Sequence, residues 1–524
     1  MNTSLWKGLP MATVLLLLSA AGCTDPTVAP KSSVSDANFF VDPGSYQLFL
    51  AKIYAGLALS GQQGPAGEPD ILGIDEGFSQ YLRLYWEAEE LPTDEAVIAW
   101  NDIGLPEMNT QTWTSSSRMV VAMYYRIFFQ ATLANEFLRQ TTDQLLTSRG
   151  VSSALRGQIK QYRAEARFLR ALSYWHGIDL FGDIPLVTES DAVGGPAPKQ
   201  STRATIYNYI VSELNAIKDS LPLPGASTYG RATGPAASML LAEVYLNAGV
   251  YTGTPDYTDA LNAAQAVITS GTYSLDASYR HLFLADNNTS PEIIFAIPFD
   301  GVHTQTYGGT TFLVHAAVGG SMNAPTYGID GGWYGLRVKP EAANLYVTTD
   351  GRANFYTTGQ TLDVASIGNF NNGYAKPKFQ NVTSGGAPGS NKTFPDTDFP
   401  VFRLGEAFLI YVEAHMQNGG GSDAQAVAYV DSLRQRAFGN ATQNLTIAQL
   451  TPDTILAERG RELFWEAHRR TDLVRFGKFT GNGYIWQWKG GTHDGAATDA
   501  HLNLFPLPAS EIVANPNLKQ NPGY

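Results

Sequence analysis

One cysteine in 524 residues is too few for an internal disulfide, and too few for a thiolate metal cluster. Charge is sparse as well. Only 16% of residues are Asp, Glu, Lys or Arg, and the formal net charge of -13 repels phosphate backbones and anionic lipid. Nucleic acid binding and polybasic membrane docking are therefore excluded. The sequence contains no HExxH, no GxSxG and no Walker loop, so metallo-, nucleophilic and phosphoryl-transfer mechanisms lack their parts. It also lacks a long hydrophobic run: the most apolar stretch, Met11–Leu18, falls short of the roughly 20 residues a membrane span needs.

What is present begins with that stretch. Lys7, the run Met11–Leu18 and the small residues Ser19, Ala20, Ala21 and Gly22 have the layout of a secretory signal over residues 1–22. Cys23 follows directly. The polar, proline-containing TDPTVAPKSS then suits a flexible tether over 23–40. Beyond it, 44% hydrophobic residues, 51 Gly and 28 Pro describe a large, loop-rich globular body, longer than the roughly 250–300 residues at which single cores stop growing.

Helical periodicity dominates two regions, 41–289 and 401–524. In RAEARFLRALSYWHGIDLFGDIPLV, Phe168, Ala171, Leu172, Trp175 and Ile178 form an apolar stripe that stops at Gly182 and Pro185. In GRATGPAASMLLAEVYLNAG, Thr233 or Gly234 caps a helix that opens with Pro235 and ends at Gly249, with Ala237, Leu240, Leu241, Val244 and Ala248 on one side. TPDYTDALNAAQAVITSG repeats the pattern with Ala260, Ala263, Ala264, Val267 and Ile268. Short amphipathic helices with small buried residues and brief turns are what stacked helix pairs require. After residue 401, FRLGEAFLIYVEAH reads as a helix, Ser422 and Gln425 form a capping box, and TPDTILAERGRELFWEAHRRTDLVRFG reads as one further helix with Leu456, Gly460, Leu463, Ala467 and Val474 in a stripe.

Residues 290–400 carry no sustained period and are rich in Gly, Asn, Thr and Tyr. A loop-built surface with short strands is expected there, because Trp333, Phe370 and many tyrosines do not suit a solvated coil.

The carboxylates with catalytic appeal are Glu458, Glu462 and Glu466. They alternate with arginines, so Glu458 with Arg461, Arg459 with Glu462 and Glu466 with Arg470 are expected to form a structural charge ladder. The triplets Glu413–His415 and Glu466–His468 do not chelate by themselves, since residues two apart on a helix face different ways. The sequence thus points to no catalytic residue, no metal and no cofactor.

Aromatic loops remain. Sugar rings lay apolar C–H faces on Trp and Tyr, while Asn, Asp and Gln bond their hydroxyls. Trp100 in the run Trp100–Asp102, and Trp333 among Gly331, Gly332 and Gly335, are the platforms to consider; Trp333 reads equally well as a loop anchor. Asn101 and Tyr327 join them on composition and proximity. Trp86, Trp113, Trp175 and Trp465 sit in helical patterns and read as core. Trp486 and Trp488 alternate in IWQWKGG, which suggests an edge strand with both rings on one face.

The blocks RAEARFLRALSYWHGIDLFGDIPLV, GRATGPAASMLLAEVYLNAG, FPVFRLGEAFLIYVEAHMQNGG and ERGRELFWEAHRRTDLVRFG, with the ending LFPLPASEIVANPNLKQNPGY, resemble in content and order the SusD/RagB outer-membrane nutrient-binding lipoproteins. The resemblance spans nearly the whole chain after the leader. It implies a mainly α fold: a tetratricopeptide-like helix-pair scaffold (SusD-like) with a large loop-rich region containing short strands, arranged as an N-terminal helical region 41–289, a ligand-face region 290–400 and a C-terminal region 401–524. It implies a non-catalytic protein, lipidated at Cys23 in a lipobox-like site where Ala20 replaces the usual Leu. Only one acidic residue, Asp25, closely follows that cysteine as a surface-export signal. The resemblance further implies an outer-membrane, cell-surface location and a partner, a SusC-like TonB-dependent transporter that receives oligosaccharide from the binder. The stretch TDEAVIAWND matches the family's early binding loop and carries over Trp100; DGGWYG matches a second aromatic contribution and carries over Trp333 and Tyr334. Two other roles compete: capture of peptide cargo for the same kind of transporter, and a secreted glycoside hydrolase, which would need two carboxylates about 5–10 Å apart across one cleft.

Overall fold

The structure is a computed structural model that describes residues 39–71 and 75–524. The leader, Cys23 and most of the tether lie outside the described residues.

Helix α1 spans Ser45–Ala58, α2 Tyr81–Glu90, α3 Arg118–Gln140, α4 Ser153–Phe181, α5 Arg203–Ile217, α6 Gly234–Leu246 and α7 Tyr257–Ile268. Helix α8 spans Gly309–Ala316, α9 Leu404–Met416, α10 Asp423–Phe438, α11 Pro452–Glu462 and α12 Arg469–Arg475. Successive helices pack as pairs: α3 on α4, α4 on α5, α6 on α7 and α9 on α10, with α7 also packed on α9. This is the mainly α helix-pair scaffold expected from the apolar stripes.

The caps explain where these helices begin. Ser152 accepts from the Leu155 N–H, Thr233 from Ala236, Ser422 from Gln425 and Thr451 from Thr454. The α4 stripe understates burial, because Phe168 to Phe181 are buried on every side. That helix is the central column of the core. Gly182 ends it with φ of 73°, a left-handed angle that glycine adopts without penalty.

Three sequence expectations fail here. Helix α6 ends at Leu246 and not at Gly249, since a separate turn of helix, Ala248–Thr252, follows and Gly253 closes it at φ 79°. IWQWKGG is not a strand. Trp488 has φ 69°, its indole donates to the Val364 carbonyl at 2.7 Å, and Trp486 is buried. The long helix expected from Pro452 to Phe476 breaks after Glu462, where Trp465 and Ala467 adopt φ of 58° and 63°.

That break rearranges the charge ladder. Glu458 does pair with Arg461, at 2.6 Å, but Arg459 pairs with Asp472 and not with Glu462, and Glu466 pairs with Arg403 and Lys378 and not with Arg470. The result is a buried three-dimensional network. Arg352 bridges Asp350, Glu458 and Glu462, while Arg403 bridges Glu292, Glu462 and Glu466, all essentially without solvent contact. Burial alone would raise the Glu462 pKa, yet Arg436, Arg403 and Arg352 outweigh it and hold that carboxyl well below its usual range. Glu458 is lowered to about 2 in the same way, mainly against burial by Arg352.

Strands are few and short. Ile184–Pro185 (β2) pairs with Gln200–Ser201 (β3), and Ile293–Ile297 (β4) pairs antiparallel with Phe399–Arg403 (β6), tying together the two ends of the loop-rich region. The pair that matters most joins Val97–Ile98 (β1) to Leu336–Arg337 (β5), in the antiparallel register Val97 to Arg337 and Ile98 to Leu336.

Candidate functional site

The two-residue ladder of β1 and β5 brings together the loops that hold Trp100 and Trp333. It continues one step further, with the Ala99 N–H donating to Gly335 O at 2.9 Å. Trp100 then packs over Gly335, where a Cβ would lie 2.8 Å from the indole ring. Its indole N–H donates to the Trp333 carbonyl at 2.9 Å. Because the polar edge of Trp100 is used internally, its ring face is what remains for a ligand.

Trp333 is held from behind. The His315 imidazole stacks on it at 4.6 Å and 23°, and the Trp333 N–H donates to His315 O at 2.8 Å. Tyr307 stands on another side at 6.4 Å, and Trp100 at 6.3 Å, so three rings form an arc. Gly332 permits the turn, since a Cβ there would meet the Val318 carbonyl at 2.3 Å. Tyr334 is half exposed, with φ of 56°. A bulky residue in that left-handed region stores strain, which loops of this kind hold where function requires a side chain to be aimed.

Buried cations lock both loops from below. Arg337 is fully buried without a carboxylate and donates to the carbonyls of Gly335, Ile367, Asn369 and Asn372; burial lowers its pKa to about 9. Lys339 donates to Thr93 O at 2.6 Å and is lowered by burial to about 7. Unsatisfied carbonyls in these loops would be costly, so each cation fixes a backbone path.

The arc lines an open cleft of about 650 Å³. Arg83 forms part of its lining, reached from α2, with its guanidinium 4.4 Å above the Phe312 ring and 5.6 Å from Trp100. Its Nε donates to Glu87 at 2.8 Å, which burial keeps raised in pKa while Arg83 opposes the shift. Arg118 stacks on Phe78 at 4.5 Å, and Asp75 and Asp102 complete the polar lining. Two acids face two bases. Such a lining offers hydrogen bonds of both kinds without a strong net field, which suits a neutral polyhydroxylated ligand.

Of the residues expected from sequence, Trp100, Trp333 and Tyr334 come together in this cleft. Asn101 is exposed beside it, and its neighbour Asp102 lines the wall. Tyr327 lies elsewhere, half-buried near Tyr356 and Arg280, where burial raises its pKa. Arg83, Tyr307, Arg118 and Phe78 escaped the sequence reading. Arg83 with Glu87 looks like any helix-surface ion pair, and only the aromatic content around Tyr307 hinted at a platform.

The carboxylates with catalytic appeal do not line this cleft. Glu458 and Glu462 are fully buried and Glu466 is nearly so, and all three are saturated by guanidinium or ammonium groups. Among the described residues, no helix is long and apolar enough to cross a membrane.

Comparison with known proteins agrees with the fold and with the sequence blocks. A family model described as the SusD family matches residues 353–524, and one described as starch-binding associating with outer membrane matches residues 85–246. The starch-binding protein SusD of Bacteroides thetaiotaomicron is 34% identical over the full length of both chains. SusD-like protein P2 of Formosa agariphila is 26% identical, with 98% of each chain covered. Among solved structures, surface glycan-binding protein A of Bacteroides thetaiotaomicron superposes with a TM-score of 0.70 at 21% identity, over 93% of this chain and all of that one. The same protein solved with laminarihexaose gives 0.69 at 20% identity, over 91% and 98%. The chain belongs to the SusD family.

Proposed function

We propose that this SusD-family protein is a non-catalytic binder that holds oligosaccharide or polysaccharide fragments across Trp100, Trp333 and Tyr307 and passes them to a SusC-like TonB-dependent transporter. The observation that carries this reading is the arc of three rings with Arg83 beside Trp100, in a cleft lined by two acids and two bases. The rings take the apolar faces of successive sugars, while Arg83 and Asp102 bond hydroxyls. Tyr334 and Asn101 are further contact candidates, while Tyr327 lies away from the cleft lining.

The 34% identical relative is named for starch, so α-glucans are the first ligands to test, with β-glucans second because a structural neighbour was solved with laminarihexaose. We place the protein at the outer membrane, anchored through lipid on Cys23 and facing outward, in keeping with the matched family description. An anchored binder beside a transporter needs no chemistry of its own, only reversible capture.

The test is affinity electrophoresis through gels containing starch, laminarin or other glycans, with reducing ends assayed after incubation. Retardation without released ends supports the reading. Released ends would restore the hydrolase, and passage through every glycan gel unretarded would favour peptide cargo.

A further inference from the structure

Away from the cleft, the core holds three groups the binding role does not use. Glu243 lies on α6, Glu406 on α9, and His468 in the turn leading into α12. One donor atom from each lies within 4.8 Å of the other two, and the His468 Nε2 is 3.8 Å from Glu406 Oε1. All three are more than nine-tenths buried. No local spacing joins them, because the partner groups of His468 sit on helices more than 60 residues away and not within its own Glu466–His468 triplet.

Among the described residues, three of the four carboxyl oxygens lack a hydrogen-bond donor. Both carboxylate oxygens of Glu406 and the Oε1 of Glu243 accept no hydrogen bond, although buried acceptors of this kind are normally satisfied. Asn247 reaches only the other oxygen of Glu243, at 3.3 Å. The surrounding charges do not close the account either. Arg475 is bidentate on Glu413 and also bonds Asp472, and the Arg459 Nε bonds Asp472 at 2.7 Å. Two guanidiniums thus answer two carboxylates. The Arg459 Nη2 approaches Glu243 no closer than 3.7 Å, and Glu243 and Glu406 face each other as two buried carboxyls beside an imidazole; burial, then Glu243, holds the Glu406 pKa well above its ordinary value.

We propose that Glu243, Glu406 and His468 hold one divalent transition-metal ion of the zinc class, buried between α6, α9 and the turn into α12. Two carboxylates and an imidazole match the oxygen and nitrogen preference of zinc, and calcium or magnesium would disfavour the imidazole. Binding the ion would displace the proton that two facing buried carboxyls otherwise hold. The His468 and Glu406 donors are 3.8 Å apart and all three lie within 4.8 Å, so side-chain rotation would have to draw them in toward one centre to reach zinc bond lengths of about 2.0–2.2 Å. The ion would be structural, pinning α6 and α9 to the turn where the chain leaves α11 for α12.

The test uses the mature chain, untagged, produced in zinc-supplemented medium and purified without chelator. Elemental analysis is expected to find about one zinc per chain, and stripping with dipicolinate is expected to lower the melting temperature until zinc is restored. Glu406→Gln is expected to weaken zinc binding by about 100-fold or more, and Glu243→Gln serves as a second variant should the first fail to fold. The proposal is overturned if wild-type protein carries no zinc and the stripped protein shows no saturable uptake. It is equally overturned if folded Glu406→Gln or Glu243→Gln protein keeps wild-type zinc content; the pair would then share a proton.

Discussion

The Trp100 indole N–H donates to the Trp333 carbonyl at 2.9 Å, joining positions 233 residues apart in the chain. The bond makes one ligand surface from two loops, and the β1–β5 ladder next to it sets their register. Each loop alone would be a mobile aromatic segment. Together they present rings at fixed angles, which lowers the ordering cost of binding.

Arg83 is expected to supply both charge and geometry. Its planar fork lies over Phe312 and beside Trp100, a position that a lysine ammonium fills poorly. Arg83→Ala should weaken glycan affinity by about tenfold or more, and Arg83→Lys should recover only part of that loss. Isothermal titration of the two variants checks it, and equal affinity for Lys and Arg would show that charge alone matters.

Gly335→Ala should act on the ligand site more than on the fold. The added methyl would sit 2.8 Å from the Trp100 ring and 3.2 Å from Ala316, so the indole must tilt away from its place in the arc. Overpacking of this kind costs about 1–3 kcal/mol. Affinity should drop while the melting temperature changes by a few degrees, as read by titration and differential scanning fluorimetry on the same preparation.

Glu95 makes stability depend on pH. Burial raises its pKa to about 8 from an ordinary 4.5, with Arg469 opposing and Asp94 reinforcing the rise. A raised carboxyl pKa means the folded state holds the proton more tightly, so its contribution is full below about pH 4.5 and is lost as pH climbs toward 8. Glu89, also raised to about 8 by burial, acts with the same sign. The melting temperature should therefore slope downward over that window, and Glu95→Gln should flatten the slope. Parallel profiles for the two proteins would refute the assignment.

Glu462 is expected to be a keystone of the buried network. It faces Arg352, Arg403 and Arg436 together, and its removal leaves buried guanidinium charge uncompensated. Glu462→Gln should cost about 3–5 kcal/mol. Denaturant unfolding followed by circular dichroism measures the loss. Because the Glu462 carboxyl titrates below its ordinary 4.5, the stability it confers is present above that value and lost as pH falls beneath it.

The sequence made the scaffold legible because helical period and capping residues are local signals. Thr233, Ser422 and Thr451 mark true helix starts, and Trp333 stands out as a large ring among glycines and Trp100 as one beside polar residues. The break after Glu462 gave no such signal. Trp465 and Ala467 take left-handed angles without a glycine, held by tertiary bonds such as Glu90 to the Ala467 N–H and Glu95 to the Trp465 N–H. The charge ladder is therefore legible as structural, but of its three expected pairs only Glu458 with Arg461 forms. Arg83 and Tyr307 could not be assigned to the cleft, because what places them is a ladder two residues long and the packing of α2 beneath it, neither of which leaves a period in the chain.

Titration calorimetry with the glycan that retards wild-type protein in gels tests the central claim most directly. Wild type, Trp100→Ala, Trp333→Ala and Tyr327→Ala are compared under one buffer condition. Each tryptophan variant should bind about 10- to 100-fold more weakly, in keeping with the loss of a central aromatic anchor, while Tyr327→Ala stays within about twofold of wild type. Wild-type affinity in both tryptophan variants would contradict the account.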